Sequence, residues 1–513
     1  MKNKQIYLIA ILLFSSSYVI FSTNIQNQGI YIDENFHHTF GMTYYDLLQS
    51  GDFTGPCMTG LGECPIINHE CIGEMQWIGS GGIVKGLLVG LGDDLFSNNE
   101  RIYYASVEPC RPIHQNLEIP GINIPTQSEL AAARFFSPLF ASLGVVVSFL
   151  VGNFIFNKFV GISFAIILSF HSLWMLHSRI ITSEIFVNSF MILSVFLLLY
   201  ALYSEKKIKF KFLILSAIVF GIAINTKLSI LEILPFMLVL IFFRNSFHEN
   251  WNLHKLKNKR FILTSFGISS IFLSLIITIV LVTFPYYYPD PIGQFFSQTE
   301  AIENYGGVNE PWSLSNRVPL QFGFTFSATI FPIFDTYFYL FSPENVPISA
   351  TWGHTFTTIP LTLFFLIGIF YLFLKIKRKT LSNLEFLMLI WYSTTFVIIS
   401  LSVDSYNSTR HFMPLFFPMM LIASYGFWNF LKQYQSYILK IGFFVFTMFT
   451  HSLTYLVFWE RIYFEPSLIW ILPLDINLID SLSFPLVLFS GILFLTSFSI
   501  LFICKKYLLI KKV

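Results

Sequence analysis

Apolar runs long enough to cross a bilayer as helix, about 20 residues each, recur along nearly the whole chain. They fall at 5–22, 135–153, 159–177, 185–203, 209–225, 228–243, 261–284, 355–374, 383–402, 412–430, 438–458 and 484–503. In hydrocarbon the backbone N–H and C=O groups must be satisfied within the segment, which a helix does. The pattern predicts an all-α polytopic membrane protein with about twelve transmembrane helices, spread over residues 1–513 as a single domain. Composition closes off the soluble alternatives. Only 12% of residues are charged against 54% hydrophobic, about half the charge of a soluble domain. The net charge of +2 gives no footprint for nucleic acid.

Basic residues set the orientation. Of the 31 Lys and Arg, 22 fall in one set of loops, including Lys2, Lys4, Lys206–Lys211, Lys375–Lys379 and the last residues. Alternation across the spans puts that set, and both termini, in the cytoplasm. The first run follows Lys2 and Lys4 as a signal peptide would, but no A-x-A cleavage site follows it, so it reads as a retained first span.

Two segments on the other face are too long to be turns: 23–133, the first extracytoplasmic loop, and 285–354. The first holds 13 Asp or Glu, three Lys or Arg, and four of the five cysteines, Cys57, Cys64, Cys71 and Cys110. Four cysteines in an outer loop read as two disulfides with three pairings open. A zinc site is the rival, without the close C-x-x-C spacing it usually has. Within this loop Ile83–Phe96 is apolar but too short to cross, and reads as an amphipathic interfacial segment. The second loop is rich in aromatics and carboxylates. Asn407-Ser408-Thr409 forms a glycosylation sequon on the same face.

Candidate chemistry collects at this outer surface. Asp33 and Glu34 follow the first span, with His37 and His38 one helical turn further on. One of these acids can serve as a general base on an attacking hydroxyl. Asp33, His37 and His38 are alternatively candidate ligands for a divalent metal, and Asp33 could simply cap a helix over 34–48. Arg179 and Glu184 sit in the short turn between the third and fourth spans, where they could pair with each other. Lys227 lies in the next outer turn and Arg410 opens the tenth span. Cations beside acids at a bilayer surface suit a lipid-linked phosphate whose polar group is transferred, because guanidinium and ammonium groups stabilise a phosphate leaving group.

The order of these features resembles the integral-membrane GT-C glycosyltransferases, in the branch of protein O-mannosyltransferases and lipid A aminoarabinose transferases. The resemblance rests on Asp33-Glu34 followed by "YYDLLQSGDF" at 44–53, and on "AARFFSPLFASLGVVVSFLVG" at 132–152. It continues in the Arg179–Glu184 turn (with Glu for the usual Asp), "NTKLS" around Lys227, and Arg410-His411 before Pro414 (with His for the usual aromatic). It implies a polyprenyl-phosphate sugar donor, such as dolichyl or undecaprenyl phosphate mannose, and inverting transfer on the extracytoplasmic face of the cell membrane. Asp33 would be the base with Glu34 supporting it, Glu184 would shape the sugar or acceptor site, and Lys227 and Arg410 would hold the lipid phosphate. Arg179 and His37 join the substrate-binding candidates. The acceptor, whether protein, lipid or glycan, is not specified, and the long cysteine-bearing first loop departs from the family pattern.

Two other classes compete. A secondary transporter fits the number of spans, but this chain has few mid-span charges and no internal repeat of the kind transporters carry. A non-catalytic sugar-lipid-binding protein of the same fold is the second.

Overall fold

The computed structural model describes residues 2–23, 25–27, 34–54, 82–97, 126–248, 259–296, 358–401, 412–462 and 492–501. Among them the chain is all helix and turn. In order, the helices are α1 (Lys2–Ser22), α2 (Glu34–Ser50), α3 (Ile83–Phe96), α4 (Gln127–Ala133), α5 (Phe136–Ile155), α6 (Lys158–Ser169), α7 (Ser172–His177) and α8 (Ser183–Tyr203). They continue as α9 (Phe210–Ile224), α10 (Leu234–His248), α11 (Lys259–Thr283), α12 (Ile359–Lys377), α13 (Asn383–Leu401), α14 (Met413–Leu431), α15 (Tyr437–Ile462) and α16 (Ile492–Leu501). Helix therefore occupies part of every apolar run, and among the described residues seven helices are long and apolar enough to cross a membrane. The chain is a multi-pass membrane protein by these helices; the count of twelve spans rests on hydropathy.

Local chemistry explains the helix ends. Thr126 and Glu129 form a reciprocal capping box at the start of α4, satisfying two N–H groups that a helix leaves open. Asn157 caps α6 and Thr358 caps α12. Several hydroxyls inside the apolar helices bond back to carbonyls of the preceding turn, as Ser17 does to Leu13 at 2.7 Å, so those cost little in hydrocarbon.

Two runs differ from the sequence reading. The run 159–177 is not one continuous helix: α6 ends at Ser169, whose hydroxyl bonds back to Ala165, and α7 restarts at Ser172. The run 228–243 opens with a 3-10 turn over Leu228–Ile233, and α10 takes over at Leu234-Pro235, because proline favours the first helical turn, where its missing N–H is not needed.

The bundle centres on α14, where 94% of the apolar window is buried, whereas in α1 only 11% is. α14 meets α12 through glycines: a Cβ on Gly426 would lie 2.1 Å from the Phe364 carbonyl. Such close backbone approach replaces hydrophobic driving force in helix packing within lipid.

A second layer of helices covers one end of the bundle, the outer end in the sequence reading. α3 lies against α2; a Cβ on Gly41 would sit 2.6 Å from Val89. Phe40, Tyr44 and Ile83 form a buried cluster with Phe284, Tyr286 and Tyr287. Val89, Leu130, Ala133 and Ile181 form another, joining α3 and α4 to the turn before α8. Burial, reinforced by neighbouring Tyr286, holds the Tyr44 hydroxyl well above the usual phenol range. Tyr44 therefore stays neutral there.

Candidate active site

The layered end gathers charged side chains from five separate segments. Glu34 is the first residue of α2, and its carboxylate is fully buried. A carboxylate without a partner could not remain charged there. Arg134, at the end of α4 and equally buried, meets it as a two-pronged fork: Nε donates to Oε1 at 2.7 Å and Nη2 donates to Oε2. The Ile181 backbone N–H adds a third bond to Oε1 at 2.7 Å. Arg134 also reaches the Ile25 carbonyl at 3.3 Å. One acid thus fastens α2, the start of the α5 segment and the turn before α8.

That turn is braced from several sides. Ser137 donates to the Ile180 carbonyl at 3.0 Å, and His177 Nδ1 meets the Thr182 hydroxyl at 2.8 Å. Arg179 is fully buried and reaches the Ile20 carbonyl of α1 at 3.4 Å. Two residues beyond the turn, Glu184 is buried and accepts from Lys227 Nζ at 2.8 Å, while the lysine keeps 18% of its side chain exposed. Asn188, one helical turn along α8, donates to the Glu184 carbonyl at 2.8 Å. The turn that carries Lys227 is clamped to α11: Asn225 donates to the Val280 carbonyl at 3.1 Å and to the Thr283 hydroxyl at 2.6 Å.

Between α2 and α3 lie two further pairs. Lys85 Nζ, itself buried, is 2.8 Å from His37 Nδ1. His38 Nε2 is 3.4 Å from Asp93 Oδ1, both side chains buried.

The structure therefore brings together Glu34, His37, Arg179, Glu184 and Lys227 from the sequence candidates, with His38 beside them. Arg134, Lys85 and Asp93 complete the pairs. Arg134 had a visible signal, since it opens an apolar run on the face that is poor in cations. Lys85 and Asp93 were legible only as charges inside an otherwise apolar segment. Asp33, Arg410 and the four cysteines Cys57, Cys64, Cys71 and Cys110 lie outside the described residues. Among the described residues no group of three His, Cys, Asp or Glu is arranged to hold a metal ion. His37 and His38 face Lys85 and Asp93.

This end of the molecule offers a buried, neutralised carboxylate that fixes geometry (Glu34) and a partly open lysine whose two remaining N–H groups can meet an anion (Lys227). A family model described as dolichyl-phosphate-mannose-protein mannosyltransferase matches residues 123–283. That stretch contains Arg134, Arg179, Glu184 and Lys227, so the resemblance to that branch of membrane glycosyltransferases is supported over the segment bearing these motifs. No curated protein matches the chain by sequence. Among solved structures, ArnT from Cupriavidus metallidurans bound to undecaprenyl phosphate is similar at 13% identity, covering 94% of this chain and 74% of that one, with a TM-score of 0.42. The Archaeoglobus fulgidus oligosaccharyltransferase in its apo form is similar at 13% identity, covering 89% and 58%, with a TM-score of 0.47.

Proposed function

We propose that the chain is a glycosyltransferase that moves a sugar from a polyprenyl-phosphate donor to a hydroxyl-bearing acceptor at the extracytoplasmic membrane surface, with inversion. The observation that carries this reading is the Glu184–Lys227 pair at 2.8 Å, both members of which, like Arg134, lie within residues 123–283 that the mannosyltransferase family model matches.

In the proposed step the acceptor oxygen attacks the anomeric carbon as the bond from that carbon to the phosphate oxygen breaks. The acceptor proton passes to the Asp33 carboxylate, and polyprenyl phosphate departs with the bonding electrons. A single displacement needs only one base opposite the leaving group. Glu34 is already committed to Arg134 and Ile181, so its role is to hold the start of α2, and with it Asp33, in place. Lys227 and Arg410 neutralise the phosphate as charge builds on it. Glu184 keeps the Lys227 ammonium aimed at the site, Arg179, fully buried, braces the turn before α8, and His37 is assigned to substrate binding. The positive-inside distribution supports cytoplasmic termini in the cell membrane.

The reading is tested by binding. Undecaprenyl or dolichyl phosphate, added to the protein in nanodiscs, is expected to raise its thermal midpoint. A ligand at a hundred times its Kd adds about 2.7 kcal/mol of stability. Lys227→Ala should lose most of that rise. No rise in the wild type with either lipid, or an equal rise in Lys227→Ala, would contradict the proposal.

A further inference from the structure

α3 begins with a glycine in a conformation that other residues resist. Gly82 caps the helix with φ 74° and ψ 105°, in the left-handed half of backbone space where a Cβ is unfavourable. Space is as restrictive as angle. A Cβ on Gly82 would lie 2.0 Å from the Thr226 carbonyl oxygen and 2.7 Å from its carbon. The helix start is therefore docked, backbone on backbone, against the residue before Lys227.

Neither partner can yield easily. The Asn225–Lys227 turn is held to α11 by both Asn225 bonds and to α9 by the Thr226 hydroxyl, which donates to the Ile222 carbonyl at 2.9 Å. On the other side Ile83, the first residue of α3, is buried among Phe40, Tyr44, Phe284, Tyr286 and Tyr287. A side chain at position 82 would force the two apart by roughly an ångström, enough to carry the Lys227 ammonium out of hydrogen-bond reach of a bound phosphate oxygen.

We propose that Gly82 is a positioning residue for the phosphate end of the site. By seating the outer helix layer on the Thr226 carbonyl, it fixes the Lys227 ammonium relative to the carboxylates and histidines carried by α2. The inference rests on the functional reading above, in which Lys227 holds the donor phosphate. It adds that the bond-free contact at Gly82 sets donor affinity.

A matched control lies in the same chain. Gly51 also has φ 74°, yet a Cβ there would meet nothing within 4 Å. Gly51→Ala and Gly82→Ala both place a Cβ on a residue with φ 74°, and only the second inserts an atom against Thr226. With a radiolabelled polyprenyl-phosphate hexose as donor, Gly82→Ala should raise the donor KM about ten- to a hundredfold, the loss of one hydrogen bond to a charged group, with kcat within about threefold of wild type. Gly51→Ala should leave both near wild type. Hydrogen exchange of the peptide over 225–230 should quicken in Gly82→Ala alone.

An active wild type with equal KM values in the two variants overturns the inference and spares the functional reading. So does a fall in kcat with KM unchanged. Failure of the wild type to turn over any donor removes the reading and this inference together. Should Gly82→Ala not fold, Ile83→Ala loosens the same contact without adding an atom. An unchanged donor KM in that variant also overturns the inference.

Discussion

Arg134→Met tests the buried fork most sharply. The substitution removes both guanidinium bonds to Glu34, one of them the 2.7 Å contact to Oε1, together with the bond to the Ile25 carbonyl. It leaves a carboxylate with no exposed surface. Removing one partner of a buried ion pair typically costs about 3–5 kcal/mol, because the remaining charge stays desolvated, whereas replacing both partners with apolar groups is often close to neutral. The expected order of stability is thus wild type close to the double variant Glu34→Met/Arg134→Met, and both well above Arg134→Met alone. In a double-variant cycle the coupling should reach roughly 2 kcal/mol or more, far beyond the additivity error of about 0.5 kcal/mol for independent sites. Denaturation midpoints of the four proteins in mixed detergent micelles supply the measurement. Additive losses, or a double variant worse than either single one, would refute the reasoning that burial makes this pair interdependent.

Other consequences are read more simply. Asp33→Asn should lower kcat for sugar transfer by about 10²–10⁴, the usual range for a general base, with donor KM within a few-fold; an unchanged kcat removes Asp33 from that role. Lys227→Ala should raise donor KM about ten- to a hundredfold in steady-state assays, and equal KM values would remove it from the phosphate site. Thr126→Ala deletes the capping box at α4 and should cost about 1 kcal/mol, seen as a lowered unfolding midpoint with turnover retained. Gly368→Val adds a Cβ that would lie 2.3 Å from the Ile422 carbonyl oxygen, so the monodisperse peak in size-exclusion chromatography should shrink markedly. A full yield of that variant would contradict the tight α12–α14 crossing.

Much of the helical layout was legible because continuous apolar runs in lipid admit few backbone solutions. The boundaries at Lys2–Ser22, Ser183–Tyr203 and Met413–Leu431 lie within a few residues of the hydropathy edges. The break between Ser169 and Ser172 was not legible, since neither proline nor glycine marks it. Position at the outer turns was likewise readable for Glu184 and Lys227, but their pairing was not: the two are 43 residues apart, and Arg179 was the nearer candidate by sequence. The same holds for Glu34 and Arg134, separated by 100 residues. Local spacing rules reach three or four residues along a helix, whereas partner choice across the bundle is made by packing. The seat of α3 on Thr226 left only a glycine pair, Gly81-Gly82, as its trace in the sequence.

The central claim is sugar transfer from a lipid phosphate, and its most direct measurement follows the label. Wild-type and Asp33→Asn proteins, both correctly inserted in proteoliposomes, are given radiolabelled polyprenyl-phosphate hexoses in turn. The account predicts label leaving the donor lipid in the wild type with at least one hexose, and retention of that label by the variant. Retention of label on every donor by the wild type would contradict it.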